Sequence, residues 1–267
     1  AYHLASNALD LALDPLPAGV APADAKERTY HAKAKGGVRA NFASLGRKGE
    51  LECQTLTVDG TARTREKGAE GDARLGDSDI VAEGGVRVDW KPDPLAAAAG
   101  LRGSGDKFTL DRRRHGRLES FDGRTVDARG TLGERGQPYA MRATWIDFDE
   151  THVEAANVVV GIDPEAGALP AGTPAVLELS TQHFHANERE IVLDGKAHAT
   201  GRTGQGEGWE IDSGTLRITG DFQRDAKLDR KAIAWIEATG GFTATLQDRA
   251  RAIGDTLRGN ADTTRIE

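Results

Sequence analysis

The sequence predicts an all-β, antiparallel fold, and three observations predict it. Apolar and polar residues alternate with period two along many short stretches. Glycine is abundant, at 33 of 267 residues, with no G-X-Y period. A Gly-Gly pair inside a strand-like segment recurs in "AKAKGGVRANF" (32–42), "VAEGGVRVDW" (81–90) and "IEATGGFTATL" (236–246). Alternation bounded by Gly and Asp marks half-buried antiparallel strands. Glycine above its ordinary usage of about 7%, without a collagen period, marks tight turns and bulges.

The elements follow in chain order. In 32–42 the inward set after the glycines is Val38 and Phe42, and "GELECQTLTVDG" (49–60) puts Leu51, Cys53 and Thr55 on one face. In 81–90, Val86, Val88 and Trp90 point one way and Arg87 and Asp89 the other. "GSGDKFTLDRRRHGRLESFDGRTVDARG" (103–130) contributes Phe108 and Leu110. "ATWIDFDETHVEAANVVVGI" (143–162) sets Ile146 and Phe148 against Trp145, Asp147 and Asp149. "PAVLELSTQHFHANEREIVLDG" (174–195) sets Leu177, Leu179 and Thr181 against Val176, Glu178 and Ser180. "GWEIDSGTLRITGDF" (208–222) pairs Trp209 with Ile211 and Leu216 with Ile218, and 236–246 ends the series with Phe242 and Leu246. A one-residue slip of register would invert any of these assignments.

Helical signals are few. "DPLAAAAGL" (93–101) reads as an inserted loop or a single turn, and "DAKLDRKAIAWIEA" (225–238) as a turn leading into a strand, with a helix as the alternative. Loops are expected at 15–28, 61–78, 91–104, 130–138, 163–174 and 200–207. None has the composition of a flexible linker, so 1–267 reads as one elongated unit. Its repeat units lie at about 1–60, 78–130, 139–222 and 231–267, with "LDGKAHATG" (193–201) a weaker relative of the Gly-Gly stretches.

Composition narrows the function. The net charge of −7 argues against nucleic acid as a partner, because phosphates need a basic face. The basic knot "LDRRRHGRL" (110–118) reads as a solvated turn, one able to meet an anionic head group. Cys53 is the single cysteine, so no intramolecular disulfide forms. No apolar run is long enough for a transmembrane helix, and the opening residues do not read as a signal peptide, as expected of a trimmed mature protein or of a cytoplasmic one.

Catalytic motifs are missing: the sequence contains no G-x-S-x-G, H-E-x-x-H or Walker A pattern. "GQGEGW" (204–209) lies between strands and opens no phosphate-binding helix. His183 and His185 would share a face, and a metal there could recruit His152 or His198, but a pair of surface histidines explains the spacing as well. Asp147, Asp149 and Glu150 carry oxygen ligands without the Gly-punctuated calcium loop. No enzyme, cofactor or metal is expected. The apolar face itself remains, either as a dry core or as a groove.

The order of strand, Gly break, strand and polar turn resembles the OstA-like periplasmic proteins of lipopolysaccharide transport. The resemblance is best over 175–222, and 2–60 and 81–130 look similar. The insertion at 91–104, the spacer at 163–174, and Ala156-Asn157 in place of a glycine depart from the pattern. The resemblance implies an antiparallel β-jellyroll shaped like a taco shell, with an apolar groove for acyl chains. It implies a periplasmic lipid carrier or bridge, with lipopolysaccharide or another lipid as ligand. It also implies end-to-end strand pairing with copies of itself or with other OstA-like proteins. Each Gly-Gly would bend its strand at the corner of the sheet. The groove lining would be Val38, Phe42, Leu51, Val86, Val88, Trp90, Phe108, Leu110, Ile146, Phe148, Leu177, Leu179, Trp209, Ile211, Leu216, Ile218, Phe242 and Leu246. The alternative is a structural or interaction β-sandwich, or short solenoid, with a dry core.

Overall fold

The computed structural model describes residues 3–13, 27–44, 47–63, 74–91, 101–132, 137–149, 152–162, 177–187, 189–202, 208–220, 233–246, 250–259 and 264–266. Among them there is no helix. The strands are β1 (His3–Ala5), β2 (Ala8–Leu13), β3 (Glu27–Ser44), β4 (Arg47–Arg63), β5 (Arg74–Lys91) and β6 (Leu101–Leu110). They continue with β7 (Gly116–Glu119), β8 (Val126–Leu132), β9 (Gln137–Ala143), β10 (Trp145–Phe148), β11 (His152–Ile162) and β12 (Leu177–Asn187). The last six are β13 (Glu190–Arg202), β14 (Gly208–Gly220), β15 (Ile233–Leu246), β16 (Ala250–Gly254), β17 (Leu257–Gly259) and β18 (Thr264–Ile266).

Every ladder is antiparallel, and chain neighbours pair in sequence from β2 to β6 and from β11 to β15. Several short strands are halves of one long strand. β1 and β2 both lie on β3, β7 and β8 both on β6, and β9 and β10 both on β11. With β7 on β10 and β8 on β9, the strands β6, β7, β10, β11, β9 and β8 form a closed ring of pairings. The all-β antiparallel expectation holds, and 225–238 delivers a strand from Ile233 onward; 93–100 and 225–232 lie outside the described residues. Strands also run further than the loop boundaries suggested, with β4 reaching Arg63 and β6 starting at Leu101.

A line of irregularities crosses the sheet at mid-strand. Register shifts fall between Lys35 and Val38, Glu52 and Thr55, Glu83 and Val86, Ser180 and His183, Asp194 and Ala197, and Ser213 and Thr215. On β3, β5, β13 and β15, which run in the same direction, the break is a pair of positive-φ residues. These are Gly36-Gly37, Gly84-Gly85, Gly195-Lys196 and Gly240-Gly241. Buried residues flank each pair four positions apart: Ala34 and Val38, Ala82 and Val86, Leu193 and Ala197, Ala238 and Phe242. On the opposing strands β4, β12 and β14 the flanking buried residues are only three apart: Cys53 and Leu56, Thr181 and Phe184, Ser213 and Leu216. One strand therefore carries an extra residue at each crossing. A bulge with left-handed residues absorbs it and bends the strand, keeping the same side chains inward.

The bulge corrects one assignment. Thr55 does not share a face with Leu51 and Cys53; it pairs with Lys35 and Glu83, both exposed on the outer face. Leu56 takes the inward place instead. Asn157, where a glycine seemed to be missing, has φ +50° and itself supplies the left-handed residue on β11. Asn tolerates that conformation better than most side chains.

One face of the sheet collects nearly all the buried apolar residues, and they form a single cluster running from β3 to β15. Among the described residues no helix covers this face. The outer face is laced with ion pairs, such as Arg39 and Arg87 on Glu52, Arg102 on Asp89, and Arg142 on Asp127. Exposed pairs of this kind add at most about 1 kcal/mol each, so the apolar face dominates stability.

Candidate functional site

The predicted lining residues whose side chains are described fall on one face, as the registers show. Leu51 lies opposite Val88, Leu179 opposite Val160 and Ala199, and Ile218 opposite Ile191 and Ile236. Val38, Leu51, Val86, Val88, Phe108, Leu110, Ile146, Leu179, Leu216, Ile218 and Phe242 are buried. Phe148, Trp209 and Ile211 are half-buried, and Leu246 is exposed. The backbones of Phe42, Trp90 and Leu177 lie in strands, but their side chains lie outside the described residues. Sequence reasoning missed Leu56, Leu118, Val126, Val158, Phe184 and Leu193, which are equally buried on this face. Alternation alone could have found Leu193, two residues after Ile191.

Burial is graded across this face. Beside the bent line it is complete, with Ala82, Val86, Val126, Ala143, Leu193 and Ala238 at 0% exposure. Toward the strand ends the same face becomes half-buried, at Val58, Ile80, Phe148, Val153, Ile191, Trp209, Ile211 and Ile236. On this face burial is tight at the bend and looser at the rims.

The N-terminal end extends the face without covering it. Leu4 pairs with Ala40, Leu9 with Ala34, Leu11 with Ala32 and Leu13 with Tyr30, so all four leucines share the inner face. They are 42%, 54%, 64% and 48% exposed. In the described registers β1 and β2 pair with β3 alone. Among the described residues they form a row of exposed leucines on strands paired along one side.

Cys53 lies within the face and is buried. Burial pushes its thiol up from an ordinary 9.0 to about 11, while backbone hydrogen bonds involving Glu83 and Thr55 pull the other way. Burial likewise pushes the Tyr139 phenol up to about 12. At pH 8 only about one thiol in a thousand is then thiolate, so the native chain should resist alkylation by iodoacetamide and react on denaturation. The sign of the linkage follows from the raised values. The unfolded chain loses these protons first, so their contribution to stability is full below pH 9 and disappears as the pH rises through 9–12. Denaturant midpoints measured across that window should fall with pH, and Cys53→Ala should remove the earlier part of the fall.

The described residues of the other candidate motifs meet local partners. Arg112 is tied to Asp79, and Asp111 closes the basic turn by accepting from the His115 amide. Asp147 takes Arg117, whose guanidinium stacks over Trp145, and Asp149 accepts from the His152 amide. His183 is exposed opposite Asp194, while His185 contacts Glu154, Asn187 and the His152 ring on the outer face. His198 does not join either; it lies with Glu210 and Asp212. Glu150 and most of "GQGEGW" lie outside the described residues. Among the described residues no helix is long and apolar enough to cross a membrane. No family model, curated protein or solved structure matches this chain.

Proposed function

We propose that this chain is a periplasmic lipid-binding carrier or bridge, holding acyl chains on its apolar inner face during transport toward the outer membrane. The observation that carries this reading is the graded face, closed at the bend, looser at the rims and continued by four exposed leucines at the N-terminal edge. Acyl chains gain about 0.8 kcal/mol per buried CH₂ from such a surface and require no polar contact. In this reading the bent sheet is a β-jellyroll of the taco type, and lipopolysaccharide is the ligand its resemblance suggests. The Leu9–Leu13 edge is where a further copy or an OstA-like partner adds a strand and lengthens the face. No catalytic step is involved.

A second reading is favoured by the complete burial beside the bend, where Val86 and Leu193 leave no space for a ligand. Here the protein is an interaction or structural β-protein with a dry core.

Photo-crosslinkers placed at Ile211 and Ile236 on the inner rim, and at Arg217 on the outer face, separate the two. The carrier reading expects lipid adducts from the first two positions, none from Arg217, and lipid in organic extracts of the purified protein. Adducts from Arg217 alone, or no lipid anywhere, would leave the dry core. Val88 and Ile218 are poor positions for charged test variants, since both are buried and an aspartate there would compromise folding before binding.

A further inference from the structure

We infer that His198, Glu210 and Asp212 form a binding site for a divalent transition-metal ion of the zinc class on the outer face of β13 and β14. This inference is independent of the lipid reading. His198 lies directly opposite Asp212 in the ladder, and Glu210, two residues earlier on β14, points to the same side. The imidazole Nδ1 is 2.7 Å from Asp212 Oδ1 and 3.8 Å from Glu210 Oε1. All three ligand atoms lie within 4.8 Å of one another. Two ligands of one tetrahedral ion, each about 2.0–2.1 Å from it, sit about 3.3 Å apart, so small rotamer changes suffice.

Charge supports a cation here. Elsewhere on this face a carboxylate meets a guanidinium or an imidazole of its own: Glu52 meets Arg39, Asp89 meets Arg102 and Asp147 meets Arg117, while Asp59 meets His31 and Glu154 meets His185. Among the described ion pairs Glu210 and Asp212 meet only His198. Across the next ladder they face Thr245 and Thr243, which bring no charge. Two like charges two residues apart on one strand face thus share a single imidazole, and an ion held between the three would add positive charge there. One nitrogen and two carboxylate oxygens suit zinc-class ions, whereas calcium and magnesium prefer all-oxygen shells.

Three protein ligands leave a position open on a tetrahedral ion. Asp212 also borders a groove of about 640 Å³ at the bend, floored by Gly214, Gly240 and Gly241.

The test is titration of the full chain, stripped with chelator, with Zn²⁺ alone, and with Co²⁺ as a spectroscopic probe. One ion per chain is expected, with a Co²⁺ visible spectrum typical of nitrogen and oxygen ligands. Loss of an outer-shell partner already weakens metal sites by about 10–100-fold, so His198→Ala and Asp212→Asn should each weaken binding at least about tenfold. Glu210→Gln should do the same, and His185→Ala should leave binding unchanged. All three ligands are at least partly exposed, so circular dichroism should show these variants folded. No saturable binding, binding that survives His198→Ala, or binding lost in His185→Ala would overturn the assignment.

Discussion

Leu193→Asp is expected to unfold the chain, whereas Ile211→Asp is expected to leave it folded. Both residues lie on the inner face of neighbouring strands, and both are branched aliphatics of similar size. They differ in distance from the bend. Leu193 has 0% exposure and packs between Phe184 and Leu216 in the ladders; Ile211 is half-buried near the rim, opposite Ala199 and Ala244. Truncating a buried leucine to alanine costs about 2–5 kcal/mol, and an unpaired buried carboxylate adds its desolvation. Against a total stability of about 5–15 kcal/mol, that sum removes most or all of the folded population. At Ile211 the carboxylate can reach water, and the expected loss is about 1–2 kcal/mol. Guanidinium titrations followed by circular dichroism check both. A Leu193→Asp protein with a near-native midpoint would show that the inner face is not packed at its bend. Equal collapse of both variants would remove the gradient on which the carrier reading rests.

Much of this face was legible in the sequence. Period-two alternation placed Val86 with Val88, Phe108 with Leu110 and Leu216 with Ile218 on the inner side, because alternation reports burial directly. What alternation cannot see is a change of phase. Thr55 was assigned inward since it continues Leu51 and Cys53, yet the bulge opposite Gly36-Gly37 turns it out. Asn157 was read as a departure from the glycine pattern, yet it takes the left-handed conformation itself, and the left-handed pair Asp122-Gly123 was not singled out. His198 and Asp212 lie fourteen residues apart with no motif between them. Only the register of β13 on β14 brings them together. Interactions across a ladder depend on pairing, and pairing is not written in local spacing.

Pairing also explains why the hinge residues are expected to be so sensitive. Gly85→Val should destabilise the chain by about 1–2 kcal/mol or more, although a Cβ there would touch nothing. An ideal Cβ at Gly85 meets no atom within 4 Å, so the penalty is one of backbone conformation alone, at φ +63°. For non-glycine residues the left-handed region costs about 1–2 kcal/mol, and a β-branched side chain fits it worst. Gly85→Asn should cost less, since Asn157 holds φ +50° on the same line. Lys196 gives the reciprocal experiment. It stands second in its hinge pair, as Gly85 does, with φ +56°, so Lys196→Gly should stabilise the protein by about 1 kcal/mol. Gly84→Ala differs again, because its Cβ would come within 2.8 Å of the Gln54 side chain, adding a clash to the strain. Chemical denaturation of the four variants should therefore rank Lys196→Gly above the parent, Gly85→Asn below it, and Gly85→Val and Gly84→Ala lowest. If Gly85→Val were neutral, the paired glycines would not be setting the bend. The bend would then have to come from packing of the inner face, and the recurrence of Gly-Gly along the chain would have no conformational cause.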